Sequence, residues 1–323
     1  MNNTEANSVP QIAYGPVLSR RLGWSLGINN IPPKVCTYSC VYCQLGGAQQ
    51  CKPERMNFYD VEDIILPVKD RVGEVERSGA TIDYLSFVPT GEPTLDANLG
   101  REIEGLKNLG IKIAVLTNAS LVWKPAVRQD LLKADWVSIK VDAIDRRTWL
   151  KVNRPHKSLK WDEIRQGMLE FAQSFTGILT TETMMLQGIN DDNEGLSQIA
   201  DFLSKLRPHI AYLAVPTRPT AEESITGASQ RVLDMAYVIF SSRLDHVELL
   251  TGNEGDDFTV TGDLEQQLLA ITSVHPMKEE SVIDLLNRAG ADWKMVVKLF
   301  RNGSLVELLY GGKKYYRRRT GGS

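Results

Sequence analysis

Short apolar runs rich in β-branched and aromatic residues alternate with amphipathic helical stretches from residue 24 to residue 251. Strands are expected at 24–30, 82–88, 111–118, 135–143, 177–186 and 209–216, with an edge strand at 246–251. Helices are expected at 60–77, 98–109, 124–133, 161–174, 193–206 and 228–241. Six β/α units in succession argue for a parallel sheet with helices on its outer face, a partial (β/α)6 TIM-like barrel. In such a barrel functional side chains gather at the C-terminal ends of the strands.

The pattern changes after residue 251. The stretch 252–263 (GNEGDDFTVTGD) reads as a linker, glycine-rich and acidic. Beyond it come three short helical patterns and two β-like runs around Gly311 and Gly312, the order of a winged helix-turn-helix. The expected division is a barrel over 1–251, a linker over 252–263 and a winged-helix-like unit over 264–323.

The formal charge of −3 hides an asymmetry: residues 288–323 carry nine Lys/Arg against Asp292 and Glu307, and the remainder is acidic. Lys294, Lys298 and Arg301 share one helix face. Lys313, Lys314, Arg317, Arg318 and Arg319 surround Tyr315 and Tyr316, a mixture suited to phosphate contact and base stacking. A polyanionic partner is therefore expected, with a solvated tail or a protein-docking arm as the alternatives.

No apolar run reaches the ~20 residues that span a bilayer, so no membrane partner is expected. The first 35 residues have no apolar core of a secretion signal, and a cytoplasmic location is the expectation. Three of the four cysteines, Cys36, Cys40 and Cys43, fall within eight residues. Clustered thiols read as metal ligands, not as a disulfide framework. A [4Fe–4S] cluster held by three thiolates keeps one iron open to an outside group. Zinc is the rival metal, but Cys51 has no paired cysteine and no histidine precedes His156.

The loop CTYSCVYC, with Tyr42 just before the third cysteine, resembles the cluster loop of the radical S-adenosylmethionine (radical SAM) superfamily. TGEPT at 90–94, directly after the second strand, is similar to that superfamily's Gly-Gly-Glu motif, with Thr90 in place of the first glycine. LTN at 116–118 and SIKVDA at 138–143 follow in matching order. The resemblance implies a [4Fe–4S] cluster on Cys36, Cys40 and Cys43. It also implies S-adenosyl-L-methionine as cofactor, its reductive cleavage to a 5′-deoxyadenosyl radical, and a flavodoxin or ferredoxin as reductant.

The segments YGPVLSRRLGWSLGIN, NRPH and AVPTRP further resemble a branch related to the wyosine-type tRNA-modifying enzymes, which implies tRNA as a possible substrate. The chain departs from that branch in having no cysteine before Cys36. Radical modification of a peptide, protein or small metabolite is a second reading. A non-enzymatic redox sensor with a DNA-reading wing is a third.

Residue by residue, Gly91 permits close backbone approach, Glu92 is expected to accept from the cofactor's ammonium, and Pro93 fixes the turn. Thr117 and Asn118 can bond the cofactor or cap the next helix. Ser138, Lys140 and Asp142 share strand parity and are expected to line the site, either as cofactor contacts or as a salt-bridged set. Glu182 is a further cofactor candidate on an apolar strand. Asn153, Arg154 and His156, read as a loop after the fourth strand, and Arg218 after the sixth are candidates for an anionic substrate.

Overall fold

The structure, a computed structural model, describes residues 11–48, 50–251, 263–274, 276–310 and 312–319. The linker expected at 252–263 lies outside the described residues except for Asp263.

The chain opens with an antiparallel pair, β1 (Ala13–Ser19) and β2 (Gly23–Ile28). A cysteine-bearing loop follows, holding a minimal parallel pair, β3 (Val35–Cys36) and β4 (Gln50–Cys51). Helices and strands then alternate: α1 (Val61–Arg77), β5 (Tyr84–Phe87), α2 (Leu99–Leu106), β6 (Lys112–Thr117), α3 (Pro125–Leu131) and β7 (Trp136–Lys140). Two helices, α4 (Arg146–Asn153) and α5 (Trp161–Ser174), precede β8 (Ile178–Met184). The series ends with α6 (Asn193–Leu206), β9 (Ile210–Ala214), α7 (Gln230–Ser241) and β10 (Val247–Leu250).

The sheet order is β1-β2-β5-β6-β7-β8-β9-β10, and every neighbouring pair after the first is parallel. Sequential parallel strands joined by helices make the partial TIM-type α/β architecture anticipated from the alternation. Strand parity divides the sheet. Leu85, Phe87, Val115, Val137, Ile139 and Leu213 pack against the helices in one large core with Leu99, Phe171 and Leu203. The opposite parity carries Ala114, Trp136 and Tyr212 in a smaller cluster. It also carries a buried polar set that includes Ser86, Ser138, Thr180 and Glu182. The face of that parity, with serines, a threonine and a glutamate buried among apolar side chains, is where an internal site can sit.

Two elements differ from expectation. β1 precedes the first expected strand, and its Pro16 hid it, since proline is confined to edge strands. Gly27 on β2 leaves the space that the Tyr14 ring of β1 fills; a Cβ there would stand 2.1 Å from the ring. The segment holding Asn153 is not a loop after the fourth strand. Asp145 caps α4 by accepting from the Thr148 N–H at 2.8 Å, and Asn153 is that helix's last residue.

After the barrel come α8 (Leu264–Val274), β11 (Met277–Lys278), α9 (Glu279–Arg288), α10 (Lys294–Arg301), β12 (Leu305–Tyr310) and β13 (Lys313–Arg318). The three strands form an antiparallel sheet in the order β11-β13-β12. These elements share their own core, with Leu268, Ile271, Val282, Leu285, Val296, Leu299 and Tyr316 buried together. They also dock on the barrel. Ala270 packs on Tyr14, and the hydroxyls of Tyr310 and Tyr315 donate to the carbonyls of Pro216 and Thr217 at 3.4 and 3.2 Å.

This corrects the expectation of base stacking by Tyr315 and Tyr316: both are buried, at 3% and 1% exposure. The hairpin is sandwiched between its own helices and the barrel, so neither ring is free to meet a base. Among the basic residues, Lys294 and Lys298 pair with Asp292 and Glu265, and Lys314 with Glu307. Arg301, Lys313 and Arg319 are exposed, whereas Arg317 and Arg318 are half-buried. Arg318 lines a groove of 1090 Å³ with Asp63, Arg71 and Gln266, away from the cysteines.

Candidate active site

The cysteine loop crosses the C-terminal ends of the parallel strands and is tied down by backbone on both sides. Lys34 N–H donates to the Thr90 carbonyl at 2.7 Å, and Glu92 N–H to the Val35 carbonyl at 3.1 Å. The α4 terminus supports the other end: Ser39 and Val41 N–H donate to the Asn153 and Val152 carbonyls, and His156 N–H donates to the Thr37 carbonyl. Gly91 is required by this closure, because a Cβ would stand 2.0 Å from the Val35 carbonyl oxygen.

Amide donors surround the thiols. Cys36 Sγ receives the Tyr38 N–H and the Asn118 Nδ2–H, each at 3.5 Å, and Cys40 Sγ receives Asn153 Nδ2–H at 3.5 Å. Burial pushes the Cys40 thiol up to about 12 and Cys36 well above its ordinary range. Burial also raises Cys43, opposed by the Leu45 N–H and the cations Lys140, Lys34 and Arg317. Such thiols stay protonated at neutral pH unless a metal displaces the proton.

Among the described residues, no three His, Cys, Asp or Glu side chains converge as the ligands of one metal ion. Three half-buried cysteines on one loop, with N–H donors on the Cys36 and Cys40 sulfurs, fit the thiolate ligands of an iron–sulfur cluster. Cys51 lies beside Cys36 in strand register, but its thiol donates to the Thr37 carbonyl at 3.3 Å.

Glu92 is buried beneath the loop. Its Oε1 accepts from the hydroxyls of Thr94 and Thr117, both at 2.6 Å, and its Oε2 accepts from Asn118 N–H at 2.8 Å. Burial raises its carboxyl, and these donors partly offset the rise. The same side chain caps the turn at Pro93 through Thr94 N–H, so the capping role and the site role coincide. Below it, Asn30 Nδ2–H reaches both the Pro93 carbonyl and Glu102 at 3.3 Å. Burial raises both Asp96 and Glu102, and the neighbouring Asp96 carboxyl pushes Glu102 further.

The β7 and β8 ends supply a second polar group. Lys140 and Glu182 face each other in register and pair at 2.5 Å; Arg21 closes on the other Glu182 oxygen. Burial opposes both charges, yet Lys140 and Arg21 take the Glu182 carboxyl down to about 2, and Lys140 rises in turn. Lys140 also sits 4.9 Å from the centre of the Tyr42 ring. Asp142 accepts from Tyr42 hydroxyl at 2.5 Å, Asn153 Nδ2–H at 2.7 Å and Met184 N–H at 2.9 Å.

The structure thus brings together Cys36, Cys40, Cys43, Tyr42, Gly91, Glu92, Pro93, Thr117, Asn118, Lys140, Asp142, Asn153 and Glu182, with Ser138 buried on the same strand. It does not bring the Arg154 or His156 side chains with them: Arg154 pairs with Glu222, and the half-buried His156 ring bonds the Ser158 hydroxyl at 2.8 Å. Arg218 is buried next to the carbonyl of Thr217 that holds the hairpin. The sequence leaves Arg21 open between a substrate contact and a pairing with acidic surface residues. Only the register of β7 with β8 marks Glu182 as Lys140's partner, and nothing in the sequence marks Arg21, 161 residues away.

A three-cysteine loop over a parallel barrel mouth, closed by a Gly-Glu-Pro turn, is the layout of an enzyme that handles S-adenosylmethionine at an iron–sulfur cluster. Residues 30–202 match the radical SAM superfamily, and the chain belongs to it. It is accordingly an enzyme of the class that binds a [4Fe–4S] cluster and S-adenosylmethionine. Within that class it is 44% identical to the UPF0026 protein MJ1312 of Methanocaldococcus jannaschii, over 94% of this chain and 95% of that one. Among solved structures, a radical SAM methyltransferase from Sphaerobacter thermophilus shares the fold at TM-score 0.55 and 14% identity, covering 71% of this chain and 67% of that one. TYW1 with a lysine–pyruvate adduct bound shares it at TM-score 0.50 and 16% identity, covering 67% and 73%.

Proposed function

We propose that Cys36, Cys40 and Cys43 hold the cluster and that the enzyme carries out a radical modification of RNA, with tRNA as the substrate. The observation that carries the cysteine assignment is the set of N–H groups from Asn118, Asn153 and Tyr38 on the Cys36 and Cys40 sulfurs, with Cys43 on the same loop. Bound there, the cluster and cofactor supply one-electron cleavage of a sulfonium and a hydrogen-abstracting 5′-deoxyadenosyl radical.

The chain's own residues bind and orient. Glu92 Oε2 accepts one protein hydrogen bond and retains capacity for an ammonium donor. Tyr42, Asn153 and Asp142 form a connected network that fixes the loop between Cys40 and Cys43. A flavodoxin- or ferredoxin-type donor in a reducing cytoplasm would supply the electron.

We divide the chain into a barrel, 1–251, and a winged-helix module, 264–323. The element order α8-β11-α9-α10-β12-β13 supports that reading, and the exposed cations Lys294, Lys298, Arg301, Lys313 and Arg319 support a polyanionic partner. Comparing tRNA nucleosides from cells with and without the gene tests the substrate. Loss of one modified nucleoside is expected. An unchanged nucleoside profile together with an altered metabolite or peptide would overturn the RNA assignment.

A further inference from the structure

The connection between β9 and α7 runs from Val215 to Ser229, where βα connections usually take about 2–6 residues. It folds into a closed strap. At its tip the Thr220 hydroxyl and the Ile225 N–H both donate to the Glu222 carbonyl, at 2.7 and 3.0 Å. The return limb pairs with the chain after β8: Gln187 N–H donates to the Thr226 carbonyl at 3.0 Å, and Ala228 N–H to the Met185 carbonyl at 3.1 Å. The two limbs pack on each other, since a Cβ on Gly227 would stand 2.9 Å from Val215 Cβ and 3.4 Å from Pro216 Cδ.

Two parts of the fold meet on this strap. At its root the carbonyls of Pro216 and Thr217 accept from the Tyr310 and Tyr315 hydroxyls of the C-terminal hairpin. At its tip Ile225 is buried in one cluster with Val41, Val152 and Leu186, and the Tyr42 ring packs against them. Val41 and Tyr42 are the residues between Cys40 and Cys43. Glu222 pairs with Arg154, which directly follows Asn153, the donor to Cys40 Sγ. The strap therefore backs one stretch of the cysteine loop by apolar contact and again through the end of α4. The other side of the loop is held elsewhere, with Cys36 and Cys51 on β3 and β4 beside the Gly-Glu-Pro turn.

We propose that Ile225 and Glu222 are positioning residues for the cysteine site, and that the C-terminal hairpin fixes them by holding the root of the strap. Close-packed chain transmits such a restraint, and truncating Ile225 opens space into which the Cys40–Cys43 stretch relaxes. The module is then a brace for the loop as well as a docking arm. The inference rests on the proposed cluster assignment only in what the positioned cysteines hold.

The test reads each cysteine separately. The metal-free full chain is pulse-labelled anaerobically with iodoacetamide, and mass spectrometry of the digest gives the alkylation rates of Cys36, Cys40, Cys43 and Cys51. The variants are Ile225→Ala, Ile225→Val, Glu222→Gln and the double change Tyr310→Phe with Tyr315→Phe. Glu223→Gln, at an exposed neighbour, and Val72→Ala, a core truncation on α1, are the controls.

Ile225→Ala should label about tenfold faster at Cys40 and Cys43, with Cys36 and Cys51 at their wild-type rates. Ile225→Val should recover most of the protection. Glu222→Gln and the tyrosine pair should each accelerate the same two thiols about threefold. Glu223→Gln should match wild type, and Val72→Ala should leave the ratio of the two pairs of rates unchanged. In the reconstituted chain, a chelator should strip iron from Ile225→Ala about tenfold faster than from Val72→Ala. The proposal is overturned if Ile225→Ala labels like wild type, if all four cysteines accelerate together, or if the tyrosine pair leaves Cys40 and Cys43 unchanged. An equal shift in either control, or equal iron loss from Ile225→Ala and Val72→Ala, overturns it too. Failure of the cluster assignment is read separately, as a wild type that takes up no iron and sulfide, and the labelling rates decide the proposal without it.

Discussion

Replacing Glu182 by Gln removes the buried negative charge that pairs with two half-buried cations. In the folded chain Lys140 and Arg21 overcome burial and lower this carboxyl from its ordinary 4.5 to about 2. At 1.36 kcal/mol per pKa unit, ionised Glu182 contributes about 3 kcal/mol of stability. A depressed carboxyl pKa means that this stability is fully present above pH 4.5 and drains away as pH falls toward 2. The variant also leaves Arg21 facing a neutral amide and Lys140 with only the Asp142 charge, and breaking a buried pair costs about 3–5 kcal/mol. Urea unfolding of the metal-free chain, followed by circular dichroism, reads the difference. With a slope of roughly 3 kcal/mol per molar urea, the midpoint at pH 7 should drop by about 1 M. The gap between wild type and variant should narrow from pH 5 to pH 3. A variant as stable as wild type at pH 7, or a gap that ignores pH, would refute the electrostatic account of this triad.

Gly91→Ala should push the Gly-Glu-Pro turn off β3, costing about 3–5 kcal/mol from overpacking and two weakened backbone hydrogen bonds. Iron content and S-adenosylmethionine affinity should fall together, and normal values for both would count against the close-approach argument. Asn118→Ala and Asn153→Ala each remove an amide donor from a cysteine sulfur, so the cluster potential should drop by roughly 40 mV, measured by a redox titration followed by electron paramagnetic resonance. Glu102→Gln should be nearly silent in thermal unfolding at pH 7, since burial and Asp96 already keep that carboxyl protonated. Loss of several degrees there would mean that Glu102 is charged.

The barrel was legible because its strands and helices have clean, opposite periodicities, and helices such as 161–174 and 193–206 fall where the pattern puts them. The cysteine loop and the Gly-Glu-Pro turn were legible as local motifs. What could not be read were partners made by tertiary packing. Arg21 looks like a surface arginine until β1 and β2 lay it over Glu182. Asn153 looks like a loop residue until α4 carries it to Cys40. In the C-terminal module, Tyr315, Tyr316 and the arginines after them read as one basic-aromatic cluster. Packing on both sides of the hairpin splits them, burying Tyr316 against the module's helices and Tyr315 against the barrel, half-burying Arg317 and leaving Arg319 in solvent.

The central claim is that three thiols on one loop support reductive opening of a sulfonium. Anaerobically reconstituted wild type, given S-adenosylmethionine and dithionite, should release 5′-deoxyadenosine and methionine in equal amounts by mass spectrometry, and Cys36→Ala, Cys40→Ala and Cys43→Ala should each release none. A wild-type preparation with a full complement of iron and sulfide that leaves the cofactor intact, or cysteine variants that still cleave it, would contradict the account.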